Sequence, residues 1–252
     1  MIVYITEKGP GYTFGHCPNP AYTIGLVEEG FAGYIVLSIP EYEGNLNLNE
    51  TTAWIAENFA GKPIVVNVFE GGSDKLPYPN VMMNITELEQ IMAVANVTGI
   101  RFTEVESWFM EQDKPAPINW VRCWFDYALQ HNLTIYWSDW KLGTDVDFRT
   151  RPVLAGYEDK IVFLSQTNDE YDHPIFGYLL ARQYTHWGAS VQSWWVDPIT
   201  GADRDDLPIE TVLEYARLAR NMGAEVIQIE PYWYFFENGE PTENMTKLWS
   251  VI

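Results

Sequence analysis

The chain has 252 residues, 47% of them hydrophobic and 15% aromatic, enough apolar surface for a sizeable core and too much for a disordered chain. Fifteen basic residues against 35 acidic ones give a formal net charge of −20 at pH 7 without any basic stripe, so nucleic acid and anionic membrane are poor partners, whereas a neutral ligand such as a sugar is not penalised. Cys17 and Cys123 are the only cysteines, which excludes a disulfide framework and predicts free thiols.

Strand-like runs and helix-like segments alternate along the chain. IVYIT (2–6) and GYIVLSI (33–39) read as the first two strands, followed by the helical NETTAWIAENFAG (49–61). PIVVNVF (63–69) precedes NITELEQIMAVANVTG (84–99), and GIRFTEV (99–105) precedes APINWVRCWFDYALQHN (116–132). LTIYWSD (133–139), KIVFLSQ (160–166), the helical HPIFGYLLARQYTHWG (173–188), SVQSWWV (190–196), LPIETVLEYARLARNMG (207–223), EVIQIE (225–230) and a short last helix in TENMTKLWSV (242–251) complete the series. Helical segments open on Asn, Thr or Pro and close on Gly or Asn, the asymmetry of helix caps. Eight strands with intervening helices predict an α/β fold, a (β/α)8 TIM barrel filling residues 1–252 as a single domain. The first strand should then pair with the eighth. A doubly wound sheet is disfavoured because no G-x-G-x-x-G follows the first strand.

Segments after the strands are long and polar or aromatic, while those after the helices are mostly short. In a barrel the long set gathers at the C-terminal face, where such folds carry their sites. Acids and indoles recur there. Glu104 and Glu106 lie in TEVESW, Asp139 in YWSDW, Asp197 in SWWVDP and Glu230 in IEPYW. Cleavage of a glycosidic bond needs one protonated carboxyl to assist the leaving oxygen and one ionised carboxylate to attack or to activate water. Glu104, Glu106, Asp197 and Glu230 are therefore the candidate catalytic residues. Trp108, Asp139, Trp140, Gln192, Trp194, Trp195, Tyr232 and Trp233 are the candidate substrate contacts, the flat rings serving as platforms for sugars. If SVQSWWV alternates as a strand, one of Trp194 and Trp195 must face the helices and belong to the core. In EVIQIE, Gln228 and Glu230 face the barrel interior and Ile227 and Ile229 the helices.

TEVESW, WVDP and GAEVIQIEPYWYFF together resemble the catalytic barrel of glycoside hydrolase family 98, mainly over the second half of the chain. The resemblance implies an inverting, endo-acting enzyme on galactose-containing glycans. It places the general acid on Glu104 or Glu106 and the water-activating pair on Asp197 and Glu230. A non-catalytic carbohydrate-binding barrel is the alternative, since it needs the same aromatic rim.

Other chemistries find less support. His16, His131, His173 and His186 form no H-x-H or H-E-x-x-H, so no metal site is expected. Lys141 near a strand's C-terminal end gives Schiff-base chemistry only weak support, the last two loops are acidic, and no G-x-S-x-G elbow occurs. No cofactor is expected, and the partner is a carbohydrate met by a monomer. Met1 runs at once into a strand without a signal peptide, whereas N-x-S/T matches at Asn49, Asn84, Asn96, Asn132 and Asn244 suit a secreted or cell-surface protein.

Overall fold

A strand buried on both faces needs no polar alternation, and Ile64 through Phe69, at 0–1% exposure, show that condition in the third strand. Such strands can only lie side by side in parallel if helices cover one face and other strands the other. The computed structural model describes residues 2–7, 22, 25, 34–37, 48–70, 82–103, 105, 118–139, 153–166, 185–191, 195–196, 203–204, 207–229 and 234–252. Eight parallel strands close into a barrel. They are β1 (Ile2–Glu7), β2 (Tyr34–Leu37), β3 (Pro63–Glu70), β4 (Asn96–Thr103), β5 (Thr134–Asp139), β6 (Ile161–Gln166), β7 (His186–Val191) and β8 (Val226–Ile229). The closing seam pairs Ile2 with Val226 and Ile5 with Ile229, as the alternation of elements predicts.

Five helices are described: α1 (Leu48–Phe59), α2 (Ile85–Met92), α3 (Ile118–Gln130), α4 (Ile209–Asn221) and α5 (Glu243–Trp249). Gly61, Asn132 and Gly223 follow α1, α3 and α4 with φ of 71°, 55° and 89°, the left-handed stops that the sequence marks. At the start of α2 the Asn84 side chain accepts from the Glu87 N–H at 3.0 Å, and the Glu87 carboxylate accepts from the Asn84 N–H at 2.7 Å. This reciprocal cap satisfies two donors that the first turn leaves open. Replacing Asn84 by Ala is expected to cost about 1 kcal/mol, read as a lower urea midpoint with unchanged slope.

Apolar side chains on the outer faces of the strands pack beneath the helices in two clusters. The larger joins Phe102, Trp137 and Phe163 to Val121, Trp124 and Phe125 of α3. The smaller joins Ile227 and Ile229 to Val212, Leu213 and Ala216 of α4 and to Met245 and Leu248 of α5. Aromatic contacts knit the first, with Phe102 stacked on Trp137 at 5.5 Å between ring centroids. Among the described residues no helix is long and apolar enough to cross a membrane.

Three boundaries differ from the sequence reading. NITELEQIMAVANVTG is helical only to Met92, and Asn96–Thr103 form β4, so Gly99 is a wall residue and not a helix stop. A Cβ on Gly99 would lie 2.8 Å from both the Thr134 carbonyl oxygen and the Tyr136 ring, and the missing side chain is what admits that ring. β4 ends at Thr103, two residues before the end of GIRFTEV. The largest correction concerns β7. His186–Val191 form the strand, whereas HWG reads as a helix end and SVQSWWV as the strand in the sequence. Trp195–Val196 pair instead in antiparallel fashion with Asp203–Arg204, outside the barrel sheet.

Candidate functional site

The barrel interior is divided by chemistry. Val65, Tyr136, Val162, Leu164 and Val226 form an apolar cluster of their own inside the sheet. Two positions further along three of these strands come Asn67, Ser138 and Gln228, and Arg101, Thr103 and Ser190 are buried on the neighbouring β4 and β7, all six at most 3% exposed. Register ties the two levels together, since Val226 pairs with Gly188 and Gln228 with Ser190 two positions on.

A polar level inside a barrel costs stability. Each buried polar group loses about 1–3 kcal/mol when unpaired, and apolar side chains would fill the same space without that cost. The level is partly held by its own bonds: Arg101 donates to Ser138 Oγ at 3.2 Å, and Thr103 Oγ1 donates to Asn67 Oδ1 at 3.1 Å. Ser190 Oγ is fully buried and has no hydrogen-bond partner among the described residues. Polarity at the C-terminal end of the interior, over an apolar plug at the other end, is the arrangement expected of a pocket floor.

The strand ends above this level carry acids. β1 ends on Glu7, β3 on Glu70 and β5 on Asp139, and the residues next in the chain after β4 and β8 are Glu104 and Glu230. For Glu7, Glu70 and Asp139 the description extends to the backbone only. Of the residues that the sequence singles out, Glu104, Glu106, Trp108, Trp140, Gln192, Trp194, Asp197, Glu230, Tyr232 and Trp233 lie outside the described residues. Gln228 is buried, while Ile227 and Ile229 belong to the outer cluster beneath the helices, so the facing expected of residues 227 to 229 is observed.

Two site expectations change. Trp195 belongs to the short antiparallel ribbon with Arg204 and not to a barrel strand. The alternation argument for one inward and one outward indole along SVQSWWV therefore lacks its barrel strand at Trp195. At the end of β4, Phe102 and Val105 both lie in the outer cluster, three positions apart. Strand alternation therefore cannot be carried past Thr103, and the condition under which Glu104 and Glu106 would share one face, a strand that persists through them, is not met.

Arg101, Asn67, Ser138 and Ser190 escape the sequence reading, as do the strand-ending Glu7 and Glu70. The signal for two of them is present: a lone arginine in GIRF and a lone asparagine in PIVVNVF interrupt otherwise apolar strands, as Gln228 does in VIQI.

Displaced titrations among the described residues lie on the outer surface. Lys247 bonds the Glu243 carboxylate at 2.9 Å and holds its carboxyl below the ordinary value, and the hydrogen bond to Asp126 raises the Tyr157 hydroxyl. These are surface pairs on helices and turns, remote in the sequence from the strand ends. Among the described residues no group of three or more His, Cys, Asp or Glu is placed to hold a metal ion.

No protein-family model matches the chain, and no curated protein sequence does. Solved structures do match. A Rhizomucor miehei β-1,3-glucanosyltransferase, an active-site mutant in complex with laminaritriose, aligns with TM-score 0.53 and 12% identity over 96% of each chain. A xylose isomerase-like TIM barrel protein from Mycobacterium smegmatis, in complex with magnesium, aligns with TM-score 0.51 and 15% identity, covering 99% of this chain and 96% of that one. A Yersinia pestis dihydropteroate synthase aligns with TM-score 0.52 and 11% identity over 99% of this chain and 90% of its own. Proteins of different activities thus share this architecture, and at such identities the likeness speaks for the fold alone: the chain is a TIM barrel.

Proposed function

We propose that the protein is a glycoside hydrolase, endo-acting and inverting, of the kind its resemblance to family 98 implies. The observation that carries the reading is the polar floor inside the C-terminal half of the barrel beneath strand ends that terminate in, or are followed at once by, carboxylic acids. Glu104 or Glu106 serves as the general acid, and Asp197 with Glu230 activates the water. Trp108, Asp139, Trp140, Gln192, Trp194, Trp195, Tyr232 and Trp233 contribute to the sugar subsites.

The proposed acid chemistry needs no cofactor. A neutral polysaccharide also suits a chain of net charge −20, because an uncharged substrate meets no long-range repulsion. One fold neighbour holds laminaritriose, which places β-1,3-glucans beside galactose-containing glycans among the first substrates to assay.

Trp233→Ala tests the sugar-binding part of the reading. A lost stacking face should weaken oligosaccharide binding by about tenfold, measured by titration calorimetry, with the melting temperature unchanged. Unfolding of the variant would instead assign that ring to the core.

A further inference from the structure

With 35 acidic residues against 15 basic ones, an exposed guanidinium on this chain is expected to find a carboxylate. Arg217 does not follow that expectation. It is exposed on α4, and among the described residues no hydrogen bond or ion pair engages it. Glu214 stands three positions earlier on the same helix, a spacing that permits a pair, and none forms.

Arg217 lines a cleft of about 420 Å³ together with Arg220 and Asn221 of α4 and with Ser250 and Val251, which follow α5. Positions 217, 220 and 221 are spaced i, i+3 and i+4, so they share one face of the helix. Arg220 is anchored there, its Nη1 donating to the Val251 carbonyl oxygen at 3.0 Å and leaving its other N–H groups as donors. Ser250 adds no donor, because its hydroxyl proton goes to the Lys247 carbonyl oxygen at 2.6 Å. No Asp or Glu is among the described residues that line the cleft. Two cations and an amide thus border one concave surface of an acidic protein.

We propose that this cleft binds a phosphate group, free or carried on a small molecule, through the guanidinium groups of Arg217 and Arg220 with the Asn221 amide as a further donor. Each planar fork can give paired N–H bonds to a tetrahedral oxoanion, and two positive charges match a dianion. The net charge of the chain does not forbid it, since at physiological salt that field is screened over about 8 Å and the nearest charges decide. Because α4 leads directly into β8, its C-terminal end stands at the N-terminal face of the barrel, opposite the strand ends that carry the candidate active site. The proposal is therefore independent of the glycosidase reading.

Calorimetric titration with inorganic phosphate and with a hexose monophosphate, at about pH 8 and constant ionic strength, tests it. The wild-type protein should bind at least one of them saturably with a Kd of about 1 mM or tighter. Arg217→Gln and Arg220→Gln should each weaken that binding about tenfold, and Arg122→Gln on α3, outside the cleft, should leave it unchanged. Tighter binding of the hexose monophosphate would identify a carried phosphate as the ligand, and equal or weaker binding the free anion. Cations near a helix C-terminus also complement its dipole. If that is their whole role, Arg217→Gln lowers the melting temperature equally with and without phosphate, which would overturn the site. Absence of saturation in the millimolar range would overturn it too, as would undiminished binding by Arg217→Gln. Should Arg220→Gln fail to fold for want of its bond to Val251, Arg217→Gln decides alone, since it has no hydrogen bond or ion pair to lose among the described residues. Hydrolytic activity is not read at any point, so the two proposals fail separately.

Discussion

Glu230→Gln is expected to abolish turnover by several orders of magnitude while leaving oligosaccharide affinity close to that of the wild type. Amide and carboxylate are nearly isosteric, but only the carboxylate can take a proton from water. β8 supplies the foundation: its inward residue Gln228 is fully buried, its outward Ile227 and Ile229 are clamped beneath α4 and α5, and Glu230 is the next residue in the chain. In the proposed mechanism Glu230, with Asp197, removes a proton from the attacking water, while Glu104 or Glu106 protonates the leaving oxygen. An inverting reaction requires the acid and base carboxyls to stand roughly 6.5–9.5 Å apart, and a gap of about 5–5.5 Å would mean a retaining nucleophile. Single-turnover kinetics and calorimetry on one substrate separate the two effects. A Glu230→Gln enzyme with near-normal rates would remove Glu230 from the mechanism.

The second large effect is on stability. Gly188→Ala is expected to destabilise the barrel by about 3 kcal/mol or more, a fall in melting temperature of roughly 6–12 °C. A Cβ at Gly188 would lie 2.4 Å from the Val226 carbonyl oxygen, 2.8 Å from Leu164 Cδ2 and 3.0 Å from Val226 Cβ. The nearest of these atoms is backbone of the neighbouring strand and cannot rotate away. The β7–β8 ladder would have to open, with cost to the pairing of Gly188 with Val226 and of Ser190 with Gln228. Thermal denaturation by circular dichroism reads the loss. A shift under about 2 °C would contradict the position of β7 and favour the strand that the sequence suggests at SVQSWWV.

That same segment shows where sequence legibility ends. Architecture and closure are readable because each strand buried on both faces leaves an apolar run, and because caps such as Asn84, Gly61 and Gly223 mark the helix ends. β7 is misread for a physical reason: HWGASV contains a glycine that usually stops a helix, here kept for the close approach of β8. SWWV has the β-branched and aromatic composition of a strand, and its Trp195–Val196 do form extended structure, but in a local ribbon and not in the barrel.

The site is legible unevenly. Acids that follow apolar runs stand out in the one-dimensional pattern, and so do the indoles beside them. The register of Glu70 does not, because its place opposite Thr103 follows from the shift between Asn67 and Phe69, which leaves no mark in PIVVNVFE. Val105 makes the same point: it lies in the outer cluster with Phe102, three positions earlier, so the alternation that would set Glu104 and Glu106 on one face cannot be carried past Thr103.

Release of reducing ends from a panel of polysaccharides, including galactose-containing glycans and β-1,3-glucan, tests the central claim most directly. The reading predicts that the wild-type protein releases oligosaccharides from at least one of them, with the inverted anomer appearing first by NMR, and that Glu230→Gln releases none. Binding of the same polysaccharides without any release of reducing ends would contradict the claim, and the barrel would then be a carbohydrate-binding protein.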